Sequence, residues 1–105
     1  MNPAIRPILE ELKAGLTALY GDRLDRVILY GSQARGDARP DSDIDVLVVL
    51  KEPFDLAREM DRTADLYLDM MIRHGIDIPR HIRWQGDITP NKGLFRTLLR
   101  EGVPL

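Results

Sequence analysis

Apolar and polar positions recur along the chain with two different periods, and the switches between those periods mark the elements. Ile5, Ile8, Leu9, Leu12, Leu16 and Leu19 return at spacings of three and four, with acids and lysine between them. This is the stripe of an amphipathic helix, opened near Asn2-Pro3 and stopped at Gly21. The run "LDRVILY" (24–30) is rich in β-branched residues and predicts a strand that ends at Gly31. "SQARG" has room for about one helical turn, and "DARPDS" carries turn signals at Pro40 and Asp41. "DIDVLVVL" (43–50) starts as a carboxylate/apolar alternation and becomes continuously apolar, as a strand covered on both faces does. A long helix is predicted from Phe54 to His74, with Leu56, Met60, Ala64, Tyr67 and Met71 on its stripe and Gly75 as its stop. "IDIPRHIRW" (76–84) reads as a third strand, and Pro79, which lacks a backbone donor, assigns it to an edge or a bulge. "GLFRTLLREG" (93–102) predicts a short closing helix with Gly102 as its stop.

This order restricts the topology. A helix between the second and third strands suits a parallel pair joined by a right-handed crossover. Only about a dozen residues, with one helical turn, separate the first two strands, and that pair is expected to be antiparallel. Part of the reason is chemical, since antiparallel pairing sets Gly31-Ser32 beside Asp43–Asp45. The expected fold is α/β (α+β): one domain over 1–105, a small mixed sheet with flanking helices, and polar residues gathered at one edge.

Asp43 and Asp45 are the feature that most needs explaining. On a strand, residues i and i+2 share a face with β-carbons roughly 7 Å apart. Two carboxylates there repel, and burial raises the cost unless something compensates. A hard cation does so: Mg²⁺ takes one or two protein carboxylates and completes its octahedron with water and phosphate oxygens. Gly31 allows close approach of a phosphate to the backbone, and Ser32 adds amides and a hydroxyl as phosphate donors. The simpler alternative is a turn cap or strand-edge cluster, with Ser32 as an N-cap.

Composition narrows the field further. The chain has 105 residues, 44% hydrophobic and 30% charged, which is globular composition with little room for a second, acceptor-holding domain. A net charge of −2 disfavours general nucleic-acid binding. The lack of cysteine excludes disulfides, thiol catalysis and thiolate metal sites. No apolar run approaches the roughly 20 residues of a membrane span, and the N-terminus lacks signal-peptide design, so a cytoplasmic protein is expected.

The stretch "GSQARGDARPDSDID" has a Gly-Ser, ten residues, then Asp-x-Asp. It closely resembles the signature of the minimal nucleotidyltransferases of the DNA polymerase beta-like superfamily, and the likeness extends over most of the chain, including "LLREGVPL". The resemblance implies a polymerase beta-like palm fold in which Gly31 and Ser32 hold a nucleoside triphosphate, such as ATP. It implies that Asp43 and Asp45 bind two divalent ions, Mg²⁺ for preference, and that a nucleoside monophosphate is transferred with release of pyrophosphate. A third carboxylate on a neighbouring strand normally serves as metal ligand and base, and Asp77, at the start of the third strand, is the candidate. The partner implied is an all-helical HEPN protein, often a toxin, which brings the acceptor hydroxyl while the transferase acts as antitoxin. A second reading is a module of the same fold that neutralises its partner by binding alone. Transfer to a small molecule is disfavoured by the chain's length.

Other residues stay open at this level. Arg35 and Arg39 suit triphosphate binding or surface pairs with Asp37 and Asp41. His81 shares strand parity with Asp77 and either approaches the site or is an ordinary surface residue. His74, just before a helix stop, is structural. Trp84 is an interface anchor or a core cap.

Overall fold

The computed structural model describes residues 3–36, 43–88, 96 and 100–105. Pro3–Ile5 form a single 3-10 turn, and α1 follows over Arg6–Tyr20 with Pro7 in its first turn, where a missing amide donor breaks no intrahelical bond. Gly21 ends α1 at a φ of 54°. Strand β1 (Leu24–Tyr30) leads into the five-residue helix α2 (Gly31–Arg35). Then come β2 (Asp45–Leu50), α3 (Leu56–His74), β3 (Arg80–Trp84) and the two-residue β4 (Val103–Pro104).

The strands form one mixed sheet in the order β3-β2-β1-β4. β1 and β2 are antiparallel, in register from Leu24↔Leu50 to Tyr30↔Asp45. β2 and β3 are parallel, from Val46↔Arg80 to Leu50↔Trp84. Both orientations agree with the sequence reading. β3 lies at an edge, one of the two places that Pro79 suggested. α1 and α3 cover one face of the sheet, where Val46, Val48, Leu50, Val27 and Leu29 are buried among Leu9, Leu12, Leu16, Tyr67 and Met70. The opposite face holds a smaller cluster of Ile28, Leu47 and Val49, with Tyr30 and Ile88 against it. Every residue of β2 after Asp45 is therefore buried. At roughly 1.5–3 kcal/mol per buried aliphatic side chain, this strand is the firmest anchor for whatever sits at its start.

The structure departs from the sequence reading in four places. β2 begins at Asp45, leaving Asp43 and Ile44 just ahead of it. β3 begins at Arg80, so Asp77 precedes the strand rather than starting it; Pro79 has no N–H to give to the ladder. β4, which pairs with the middle of β1 through Ile28↔Pro104 and Leu29↔Val103, had no signal in a two-residue stretch. The buried stripe of α3 is Glu59, Thr63, Tyr67 and Met70, while Leu56 is exposed. Spacings of four and three hold, but the stripe is rotated towards two polar residues whose bonding is met internally. Glu59 accepts from Arg23 and Arg62 at 3.2 and 3.1 Å, and the Thr63 hydroxyl donates to the Glu59 carbonyl at 2.9 Å. Asp55 caps α3 by accepting from the Ala57 N–H. The predicted closing helix falls largely outside the described residues, as do Asp37, Arg39, Pro40 and Asp41.

Candidate active site

The site is built where β1 ends and β2 begins. Tyr30, the last residue of β1, is the register partner of Asp45, the first of β2. Gly31 then turns the chain at a φ of 74° and starts α2. A β-carbon at Gly31 would lie 2.5 Å from Asp45 Oδ2. The glycine is thus required twice, for its backbone conformation and for the closeness of the carboxylate. Ser32 is the second residue of α2, with Tyr30 as the N-cap, so the N-cap reading of Ser32 does not apply. Gly36 closes the helix at a φ of 82° and donates its N–H to the Ser32 carbonyl at 3.0 Å.

Asp45 is half-buried and faces the sheet surface opposite α1 and α3, with the parity of Leu47 and Val49. Burial pushes its carboxyl above the ordinary range and the Asp43 charge adds to this, while His81 and Arg35 pull it down. The same surface carries His81, whose ring meets Tyr30 edge-to-face at 5.9 Å between centroids. Burial and Asp45 push the Tyr30 hydroxyl up, and Arg83 opposes them. Asp45, Tyr30 and His81 therefore form one polar group, with Arg35 and Arg83 within electrostatic reach.

Asp43 has different surroundings. Ile44, between the two acids, is fully buried and donates its N–H to the Asp77 carbonyl at 3.0 Å. Asp43 is exposed and lines a cavity of about 510 Å³ with Ile5 and Ile8 of the chain start, Leu68, Met71 and Ile72 of α3, and Asp77. The parallel pairing does bring Asp77 near Asp43, as the sequence suggested, but as a fellow wall residue of that cavity. Among the described residues no three His, Asp or Glu side chains converge on one point in metal-ligating geometry. Among the described residues, the carboxylates at this turn are Asp43 and Asp45. Their oxygen donors and mutual repulsion, together with the raised Asp45 pKa, suit a hard divalent cation completed by substrate oxygens.

His81 was weighed from the sequence without a decision, and its place beside Tyr30 now puts it at the site. Tyr30 and Arg83 were missed. Only the β1/β2 and β2/β3 registers reveal them, although Tyr30's position immediately before Gly-Ser was a usable signal. His74 is structural as expected, 3.0 Å from Glu11 of α1. Trp84 donates its indole N–H to the Lys51 carbonyl, and Gly86 sits against its ring, so it covers the end of β2.

On this small mixed sheet a glycine-led turn lies against a half-buried carboxylate, with a second acid two residues earlier. Residues 9–84 match the model of the nucleotidyltransferase domain family, and the chain belongs to that family. One protein of Methanocaldococcus jannaschii, "Putative protein adenylyltransferase MJ0141", is 51% identical over 45 residues, 43% of this chain and 46% of its own. A second of the same description and organism is 34% identical over 70 residues, 67% of this chain and 64% of its own. The chain spans about half to two-thirds of the length of these relatives. Among solved structures, a "putative minimal nucleotidyltransferase" superposes with a TM-score of 0.60 at 31% identity, covering 96% of this chain and 95% of that one. A toxin–antitoxin structure with AMP-PNP shares the fold, with a TM-score of 0.59 at 17% identity over 90% of this chain and 70% of that one.

Proposed function

We propose that this protein transfers a nucleoside monophosphate, AMP from ATP, to a hydroxyl on a partner polypeptide. The observation that carries the reading is the contact of Gly31 with Asp45, which packs the Gly-Ser turn directly against a carboxylate at the strand mouth. Gly31 and Ser32 hold the triphosphate, and Arg35, whose charge reaches Asp45, adds a cation for its oxygens. Asp43 and Asp45 would hold two Mg²⁺ ions, which would neutralise the triphosphate and make the acceptor hydroxyl more acidic. The acceptor oxygen attacks the α-phosphorus in line, the new P–O bond forms, and pyrophosphate leaves on the opposite side. Asp77, on the cavity wall beside Asp43, is the carboxylate available on the acceptor's side to take the proton.

Support for ATP and a protein acceptor comes from the relatives described as protein adenylyltransferases and from the AMP-PNP in a structure of the same fold. That structure is a toxin–antitoxin pair, which favours a partner protein, and a helical HEPN toxin suits the role. A second reading is neutralisation by binding alone. It is favoured by the lack of a three-ligand cluster among the described residues.

Labelled ATP, Mg²⁺ and the partner distinguish the two. Transfer of label by the wild type, reduced more than about 100-fold in Asp43→Asn and Asp45→Asn, is the expected result. Tight partner binding without any transfer by the wild type would leave the binding-only reading standing.

A further inference from the structure

We propose that His81 is a substrate-binding residue of the transferase site, and that its ring N–H donates to an oxygen of the α-phosphate held beside Asp45. The proposal rests on the transferase reading and deepens it, by assigning a side chain to the phosphate under attack.

Strand register places the ring. β2 and β3 pair in parallel with Leu47 opposite His81, and side chains alternate along a strand. His81 therefore stands on the sheet surface that carries Asp45, Leu47 and Val49. Tyr30, opposite Asp45 at the end of β1, stands on the same surface. β1 and β3 are two strand spacings apart, roughly 10 Å. Yet the Tyr30 and His81 rings meet at 5.9 Å between centroids, with 65° between their planes. Both rings lean over β2 and border the Asp45 carboxylate. Among the ionisable groups around Asp45, His81 has the largest influence, ahead of Asp43 and Arg35.

The ring is held in place but its nitrogens are uncommitted. His81 is half-buried, and among the described residues its one contact of this kind is the edge-to-face pair with Tyr30, with no hydrogen bond at either nitrogen. It does not complete a three-ligand metal cluster with the two acids. His74, by contrast, is engaged by Glu11 at 3.0 Å. Arg83, next on the same surface, donates to the Ile82 carbonyl at 2.8 Å. A half-buried donor without a partner is costly, and an anionic phosphate oxygen is a strong acceptor for it. Imidazole carries at least one N–H whether neutral or charged, so this role does not depend on its titration.

The position also fits the path of the substrate. Gly31 and Ser32 lie on the β1 side of Asp45, and His81 lies on the β3 side. A triphosphate whose tail rests on the Gly-Ser turn, with its α-phosphate at the acids, turns α-phosphate oxygens towards β3. A fixed N–H there strengthens its bond as negative charge builds during attack.

The test labels the histidine rings of the full chain with ¹⁵N. The chain has two histidines, and His74, held by Glu11, is the internal reference. ATP–Mg²⁺ should shift the His81 ring signal and slow exchange of its N–H with water, leaving His74 unmoved. Pyrophosphate–Mg²⁺, which lacks the α-phosphate, should leave His81 unmoved as well. His81→Phe keeps a ring against Tyr30 but has no N–H, and should weaken ATP–Mg²⁺ about tenfold by calorimetry. His81→Gln restores an N–H without the ring and should recover most of that loss. A merely structural ring reverses the order, with Phe close to the wild type and Gln the weaker binder. That reversal, an unmoved His81 signal in the ATP-bound wild type, or an equal shift with pyrophosphate would overturn the assignment while ATP binding stands. No binding of ATP–Mg²⁺ by the wild type would defeat the transferase reading itself, and the assignment with it. The spectra need only wild-type protein, so they decide the matter even if a variant fails to fold.

Discussion

At the scale of single residues, the candidate site joins a glycine that the fold requires to a half-buried acid whose charge opposes stability. Gly31→Ala must place a β-carbon in a left-handed conformation and 2.5 Å from Asp45 Oδ2. The backbone strain alone is worth about 1 kcal/mol, and the carboxylate has to move. The expected outcome is a lower Tm and at least a tenfold loss of ATP–Mg²⁺ affinity by calorimetry. Asp45→Asn should do the reverse to stability. The folded pKa of Asp45 is raised, so the folded state holds this proton more tightly than the unfolded chain does. Its ionisation therefore destabilises the fold above the carboxylate range, and the penalty vanishes once pH falls below the unfolded value of about 3.9. Asp45→Asn should melt higher than the wild type at about pH 7, and this advantage should disappear by about pH 3.5. A Tm difference that does not change with pH would refute this account. These residues were legible in the sequence because glycine conformation and the Asp-x-Asp spacing act over a few positions. His81 and Tyr30 were not legible as a pair, because they lie on different strands and meet only through register.

At the scale of elements, α3 shows how tertiary pairing can override an apolar stripe. Glu59 is 1% exposed, yet it joins Arg23, before β1, to Arg62 on its own helix, with the Tyr20 hydroxyl at 3.5 Å. Burial and the Glu59 charge push that tyrosine's pKa to about 12. Glu59→Ala should cost about 1–3 kcal/mol in urea unfolding. This is less than a fully buried pair would lose, because Arg23 and Arg62 are partly exposed and rehydrate. Tyr67 gives the opposite expectation. Its hydroxyl is buried and has no hydrogen-bond partner among the described residues, while the Arg80 guanidinium lies over its ring at 5.9 Å. Tyr67→Phe should keep the ring packing and be neutral or stabilising by up to about 1 kcal/mol. Both unfolding curves should keep the wild-type m-value. Hydrophobic spacing identified α3 but not which face turned inward. A glutamate counts as polar in any pattern until the arginines that neutralise it are in place.

At the scale of the whole molecule, the sheet order makes the site. β2 lies between β1 and β3, so β1 supplies Tyr30 and leads into Gly31 while β3 supplies His81. Among the described residues no helix is long and apolar enough to cross a membrane. A domain of this size is stable by roughly 5–15 kcal/mol, and ligand binding at the strand mouth should register against that margin. ATP–Mg²⁺ at about 100 times its Kd adds about 2.7 kcal/mol, a rise in Tm of roughly 10 °C. Chelation of the metal should reverse it, and Asp43→Asn should show little of it. An equal rise in Asp43→Asn would remove that residue from the binding site.

The sequence by itself determined the elements whose causes are local. These are the α1 stripe, the doubly covered β2, the glycine stops, and the Gly-Ser and Asp-x-Asp chemistry with its family resemblance. Tertiary structure decided which residues share a room. Strand register brought Tyr30 and His81 to Asp45. The segment ahead of β3, through the Ile44 N–H to the Asp77 carbonyl, set Asp77 on the same cavity wall as Asp43. The reason is physical: backbone conformation and side-chain alternation are set within a few residues of chain. Which surfaces meet depends on pairing and packing between segments far apart in sequence.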